Sequence, residues 1–291
     1  MTNEELDKLY ESAENLHDKK DNNHIIPIGT YVGSNQKCRA NINKLFGHHC
    51  AILGSTGSGK SGTVAALIHS ILNHKLPEDK SLNPRIIIID PHGEYGKAFK
   101  DSSIIYKAYS EASNTTSDIN ELVLPYWLMT GDEFRSLIIG KTEHEATSQN
   151  NIVYDALSYA RMVNNGIVKT LGSDPDGASP LEMCVGIDES RKYNFDRDKP
   201  LPFYLSDFIS HIDKVQGRKP GKKEELAQTA GRDKIDGILK KIRVLQSNPQ
   251  LNFLLNELNV DTPKIHEIIM QLIGEVKDKA NKNLRIIDIS G

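Results

Sequence analysis

Apolar positions along this chain fall into helical, alternating and unbroken spacings, and each spacing predicts an element. In residues 5 to 16, Leu6, Leu9, Ala13 and Leu16 recur at helical intervals among charges, the pattern of a short docking helix or a solvated tail. From Ile25 the texture changes. His49 to Leu53 is a short apolar run ending at a glycine-rich segment, and Thr63 to Leu72 then shows helical spacing, which predicts strand, loop and helix in that order. Arg85 to Ile89 holds four consecutive isoleucines and predicts a strand buried on both faces of a parallel sheet. Ile104 to Tyr106 and Leu122 to Leu124 are weaker strand candidates.

After Pro125 the pattern turns helical. Thr130 and Glu133 are spaced as a capping box, and Ile152, Ala156, Ala160 and Val163 share one helix face. Ile235, Leu239, Ile242 and Leu245 repeat the spacing. Thr262 and Pro263 read as N-cap and first helical residue before Ile265, Ile268, Ile269 and Leu272. Polar loops with glycine and proline lie at 171–180 and 217–223, and Leu284 to Ile289 returns to a strand pattern. No internal repeat is visible. The predicted organisation is a polar helix or tail over 1–24, the first part of an α/β core over 25–125, a helical insertion over 126–282, and a strand over 283–291 that rejoins the opening sheet. Folds of this kind continue through more strands, so the pattern reads as a truncated or partial chain.

Composition changes this picture little. The chain has 291 residues, 38% apolar and 26% charged, which supports an ordinary folded core. A formal charge of -3 supplies no global field for nucleic acid, so a DNA contact has to come from a local basic patch. The strongest such run is Lys214, Arg218, Lys219, Lys222 and Lys223, in a loop with Gly217, Pro220 and Gly221, whose ordinary role is a solvated surface. Cys38, Cys50 and Cys184 have neither zinc spacing nor disulfide parity and fit reduced thiols in cytoplasm. No apolar run reaches membrane-span length, so no membrane partner is expected.

The candidate chemistry lies at Gly54-Ser55-Thr56-Gly57-Ser58-Gly59-Lys60-Ser61, which fits GxxxxGK[ST] between a predicted strand and a predicted helix. Glycines let the backbone turn its N–H groups onto phosphate oxygens, and the following helix presents its positive end to the same anion. Lys60 can neutralise the β and γ phosphates, Ser61 can coordinate Mg²⁺, and Gly62 in the first helical turn belongs with the nucleotide-binding set. Asp90, at the carboxyl end of the isoleucine strand, is placed where open sheets meet their ligands and is expected to face the metal. Glu94, in Asp90-Pro91-His92-Gly93-Glu94-Tyr95, can take a proton from water or bind the metal's hydration shell. His48 and His49 read as packing or positioning residues, and His92 as part of a tight turn.

Asp90 and Gly93 also satisfy the DxxG element of GTPases, but no guanine-reading NKxD follows, since Asn281-Lys282-Asn283-Leu284 lacks the aspartate. Adenine is the better base. The residues resemble the HerA-like branch of the HerA/FtsK ATPases, through His49 to Leu53 leading into GSTGSGKS, DPHGEY at 90–95 and LPYWL at 124–128. The similarity continues through VLQSNP at 244–249 and ends at RIIDISG, 285–291. It implies a RecA-like P-loop core with a mostly parallel sheet, and ATP with Mg²⁺ as cofactors. It further implies a homo-hexameric ring that couples hydrolysis to movement of double-stranded DNA beside a nuclease or a defence effector. Family members carry an N-terminal β-barrel where this chain has only a polar segment, and their main acidic pair and sensor residues fall beyond Gly291. A regulatory nucleotide-binding subunit and a small-molecule kinase remain alternatives.

Overall fold

The computed structural model describes residues 3–13, 24–76, 82–109, 119–140, 147–169, 187–218, 231–256, 260, 265–274 and 282–290. They divide into two compact units. One holds the described residues up to Tyr106 with 119–120 and 272–290; the other holds most of those between Lys107 and Gln271.

In the first unit, α1 (Asn3–Ala13) is tied down by two contacts: the Tyr10 ring stacks on Tyr31 with centroids 4.0 Å apart, and Asp7 meets Arg39 at 3.5 Å. These contacts favour the docking helix over the solvated tail; Leu16 lies outside the described residues. Both partners belong to the region of an antiparallel pair, β1 (Ile25–Thr30) and β2 (Lys37–Asn41), with a bulge between Pro27 and Gly29. Asn41 then caps α2 (Ile42–Phe46) by accepting from the amides of Asn43 and Lys44.

The helix α3 (Lys60–Leu72) packs on a four-stranded sheet made of β3 (Ile86–Asp90), β4 (Ser103–Lys107), β5 (Ile119–Glu121) and β6 (Leu284–Asp288), in the order β3-β6-β4-β5. The last strand in sequence therefore inserts beside the first, parallel to it and in register from Ile86↔Leu284 to Asp90↔Asp288. Leu284 and Ile286 join Ile68 and Phe99 in one core, with Val64, Ile86 and Ile88 against it. Burial on both faces belongs to β6, not to the isoleucine strand: Ile87 is 48% and Ile89 66% exposed. The reason is position in the sheet. Among the described residues β3 occupies the edge, and its second face receives less cover than that of the central strand β6.

A second expectation also changes. The run 49–53 forms no strand, because its backbone finds no ladder among the described residues. Cys50 and Ile52 instead line an apolar cavity of about 810 Å³ with Ile86 and Ile87, and Leu53 is 89% exposed. The run approaches β3 without pairing to it. Pairing at the far edge shifts slightly too: β5 ends at Glu121, and Leu122 adds one more bond, from its amide to Lys107 O at 2.9 Å.

The second unit is helical and closed. Tyr126 and Trp127, in a 3₁₀ turn (Tyr126–Leu128), pack with Phe134, Phe203 and Phe208. The Phe134 ring meets Phe203 and Phe208 edge-on, at 5.4 and 5.3 Å, a geometry that places ring edges on ring faces. The predicted capping box is present at the start of α4 (Gly131–Ile139), where Thr130 and Glu133 satisfy each other's amides. Ala156 and Ala160 of α5 (Thr147–Asn164) are buried with Val153 and Leu157. Further on come α6 (Glu189–Tyr193) and α7 (Leu205–Ser210), which runs into a π-helical segment (His211–Gln216). Ile235, Leu239 and Ile242 of α8 (Arg232–Gln246) complete the core. After α9 (Asn252–Leu255), α10 (Ile265–Ile273) leads in sequence back to the first unit. Thr262, Pro263, Cys184 and the loop 171–180 lie outside the described residues.

Arg161 shows how this unit handles a polar group. Its side chain is fully buried, donating from Nη2 to Met129 O at 2.6 Å and from Nη1 to Arg197 O, with the guanidinium over the Phe203 ring. Burial lowers its pKa to about 10, so it stays charged at neutral pH while two carbonyls supply acceptors. Among the described residues, no helix is long and apolar enough to cross a membrane.

Candidate nucleotide site

The glycine-rich loop folds so that α3 begins at Lys60, with Gly59 as its N-cap at φ 88 and Gly57 just before at φ 80. Both lie in the left-handed region, where a side chain is strained. No side chain caps the helix, so its first N–H groups are left for another acceptor. A Cβ placed on Gly57 or Gly59 would meet nothing within 4 Å, so space is open beside these residues. An uncapped helix start under an open glycine loop is the arrangement that accepts an anion.

The rest of the loop supports that shape. Ser55 O accepts from the Ser58 amide at 3.2 Å and from Lys60 Nζ at 2.8 Å, which folds the lysine back over the loop. A Cβ on Gly54 would collide with the Ser58 hydroxyl at 2.4 Å, so the loop closes there on glycine alone. Thr56 is exposed on the loop and Gly62 in the first turn of α3. Beside it, the Ser61 hydroxyl donates to Glu94 Oε2, joining the helix start to the turn after β3.

Asp90 folds back into its own turn. It is 1% exposed, and its oxygens point into its own turn: Oδ1 accepts from the amides of His92 at 3.3 Å and Glu94 at 3.2 Å, and Oδ2 from Tyr95 at 2.9 Å. A short acidic side chain at a strand end folds back onto its own backbone readily, and three amides occupy most of its acceptor capacity. The carboxylate that reaches Ser61 is Glu94, and Asp90 holds the turn that carries it. His92 is exposed in this turn, and His48 and His49 are exposed ahead of the loop.

The sequence reading passed over two residues at the same end of the sheet. Asp288, buried at 7% exposure, is the register partner of Asp90, and its Oδ1 accepts from the amide and hydroxyl of Ser290. The signal was available, because RIID repeats the apolar run ending in aspartate seen in IIIID. Among the described residues, no cluster of three or more His, Cys, Asp or Glu forms a metal centre. The donor set fits Mg²⁺ only in its usual mode, held largely by phosphate and water with few protein oxygens. Of the predicted basic run, Lys214 lies on the π-helical segment and Arg218 just after it, while Lys219, Lys222 and Lys223, with Pro220 and Gly221, lie outside the described residues.

Comparison with known proteins places this arrangement in a family. The family described as "Helicase HerA, central domain" matches residues 26–290. The chain is 34% identical over 152 residues to the DNA double-strand break repair helicase HerA of Sulfurisphaera tokodaii, covering 52% of this chain and 23% of that protein. It is 44% identical over 70 residues to the helicase of the same name from Saccharolobus solfataricus, covering 24% and 12%. A probable helicase of Methanocaldococcus jannaschii is 28% identical over 151 residues, covering 52% and 25%. The matches thus span a quarter or less of these relatives' lengths. With a family match running through nearly the whole sequence, from β1 past β6, the chain belongs to the HerA helicase central-domain family.

Proposed function

We propose that this chain binds ATP with Mg²⁺ on the loop from Gly54 to Gly62 and contributes to its hydrolysis, within a ring-forming machine that moves double-stranded DNA for a nuclease or defence effector. The observation that carries the reading is the Ser61–Glu94 contact at the uncapped start of α3. It brings together a metal-type hydroxyl and a carboxylate at the place where the loop would hold the terminal phosphates.

The backbone amides of the loop and the start of α3 bind phosphate oxygens, and Lys60 leaves Ser55 O to neutralise the β and γ groups. When bound, Mg²⁺ would supply charge neutralisation at the phosphates. Ser61 would hold the ion through its hydroxyl oxygen, which would release Glu94 from their mutual hydrogen bond. Glu94 then orients a water molecule and accepts its proton, while Asp90 keeps the Glu94 turn rigid. The relatives named as double-strand break repair helicases support DNA as the partner, and family resemblance supports the hexamer.

Calorimetric titration of ATP·Mg²⁺ is the test. Lys60→Ala should weaken binding by about 10- to 100-fold, the range for loss of a charged hydrogen bond to phosphate. Equal affinity in variant and parent would remove the nucleotide site, and phosphate release indifferent to duplex DNA would remove the translocase.

A further inference from the structure

We infer that Asp288 and Ser290 are positioning residues for Glu94, holding from the end of β6 the turn that presents this carboxylate to Ser61. The inference rests on the nucleotide reading above and adds to it two residues that touch neither phosphate nor metal.

The geometry is a short chain of contacts. β3 and β6 run in register to Asp90 and Asp288, and one further bond, from the Ile289 amide to Asp90 O at 3.1 Å, carries the pairing past the strand ends. Asp288 Oδ1 then accepts from the Ser290 amide at 3.0 Å and from the Ser290 hydroxyl. Two bonds to one oxygen fix both the backbone and the side-chain rotamer of Ser290.

That fixed hydroxyl stands against Gly93. A Cβ on Gly93 would lie 2.9 Å from Ser290 Oγ, 3.6 Å from Ser290 Cβ and 3.8 Å from Asp288 Oδ1. Gly93 also has φ +67, so the turn uses glycine for its conformation and for the closeness of its neighbour. The next residue is Glu94, whose amide is bound to Asp90. The turn is therefore gripped from within by Asp90 and backed from outside by Ser290. Release of the outer wall lets the turn move as a unit, and a displacement of about 1 Å at a reacting group is enough to cost roughly 100-fold in rate.

The experiment combines hydrogen exchange of residues 92–95 in the nucleotide-free chain with steady-state ATP hydrolysis. In Ser290→Ala, exchange of the turn should quicken about tenfold while 86–89 and 284–287 keep their protection. Its kcat should fall about tenfold with KM within about twofold, the split that separates loss of positioning from loss of binding. Asp288→Ala should give the same pattern.

Gly93→Ala should be about tenfold more damaging to turn protection and kcat with Ser290 present than in a Ser290→Gly background, because only the serine collides with the new methyl. Unchanged turn exchange in both Ser290→Ala and Asp288→Ala, or equal cost of Gly93→Ala in the two backgrounds, overturns the inference. Failure of the parent chain to bind ATP·Mg²⁺ would instead sink the functional reading, and the exchange measurements would still decide whether Asp288 and Ser290 hold the turn.

Discussion

The helical unit and the sheet unit solve opposite problems with similar materials. Around Trp127, Phe134 and Phe203 the helices close a core, and even the buried Arg161 finds two carbonyls there. The sheet unit leaves things open: a helix start without a cap, a glycine loop with space beside it, and isoleucines on an uncovered face of β3. Closed packing gives stability without chemistry. Unsatisfied N–H groups and exposed acceptors cost stability and are the means by which a site binds something else. The comparison teaches where to expect each kind of damage: loss of folding from one unit, loss of binding or turnover from the other.

The largest expected effect tests the closed unit. Phe134→Ala removes a ring in edge contact with two others and should cost about 3 to 5 kcal/mol of unfolding free energy, because a closed core relaxes only partly around the cavity. Denaturant titration measures the loss, and ATP affinity of the folded fraction should stay within about twofold. A comparable loss of affinity would break the division of labour.

Next in size is a change in the open unit. Glu94→Gln keeps shape and a hydrogen bond to Ser61 but cannot accept a proton, so kcat should fall by roughly 10²- to 10³-fold, about 3 to 4 kcal/mol of barrier. Thermal stability should be unmoved, since the side chain is exposed. A variant that turns over at the parental rate would move the water-activating role away from Glu94.

How much of this was legible beforehand follows from how local each feature is. The capping box at Thr130 and Glu133 is contained in four residues and was readable in full. So was the loop octet, whose glycine spacing carries its own conformational reason. The partner of a carboxylate is not local: IIIID put Asp90 at a strand end, but nothing in the string says that its oxygens turn back onto residues 92, 94 and 95. Four isoleucines announced a strand, whereas the exposure of two of them depends on which strand became the edge. The β1–β2 pair escaped notice because Pro27 and a bulge interrupt its alternation. The π-helical His211–Gln216 segment has no periodic signature at all.

That segment supplies a prediction of intermediate size. His211 stacks on Tyr159 at 4.7 Å and is bonded to Gln216, and burial lowers its pKa from 6.5 to about 4. The unfolded chain takes up this proton near pH 6.5 and the folded chain only near pH 4. Its share of stability is therefore fully present above pH 6.5 and is lost as the pH falls toward 4, by up to roughly 3 kcal/mol. His211→Phe keeps the ring stack, removes the titration and should flatten the slope of unfolding free energy between those limits. An unchanged slope would assign the acid sensitivity to other groups.

The smallest expected effect examines the comparison inside the sheet itself. Ile89 and Ile286 are the same residue type on adjacent parallel strands, one 66% exposed and the other fully buried. Threonine retains the β-branch, so replacement leaves strand propensity almost untouched and reports mainly the surroundings of the side chain. At Ile286 the new hydroxyl enters the core between the sheet and α3, where an unpaired polar group costs about 1 to 3 kcal/mol in addition to lost apolar contact. At Ile89 the hydroxyl meets water, and the change should stay within about 0.5 kcal/mol. Denaturant midpoints of Ile89→Thr and Ile286→Thr in the 291-residue chain measure the contrast. A loss above about 1 kcal/mol at Ile89 would mean that this face is covered in solution, and the open half of the comparison would then be confined to the loop and the start of α3.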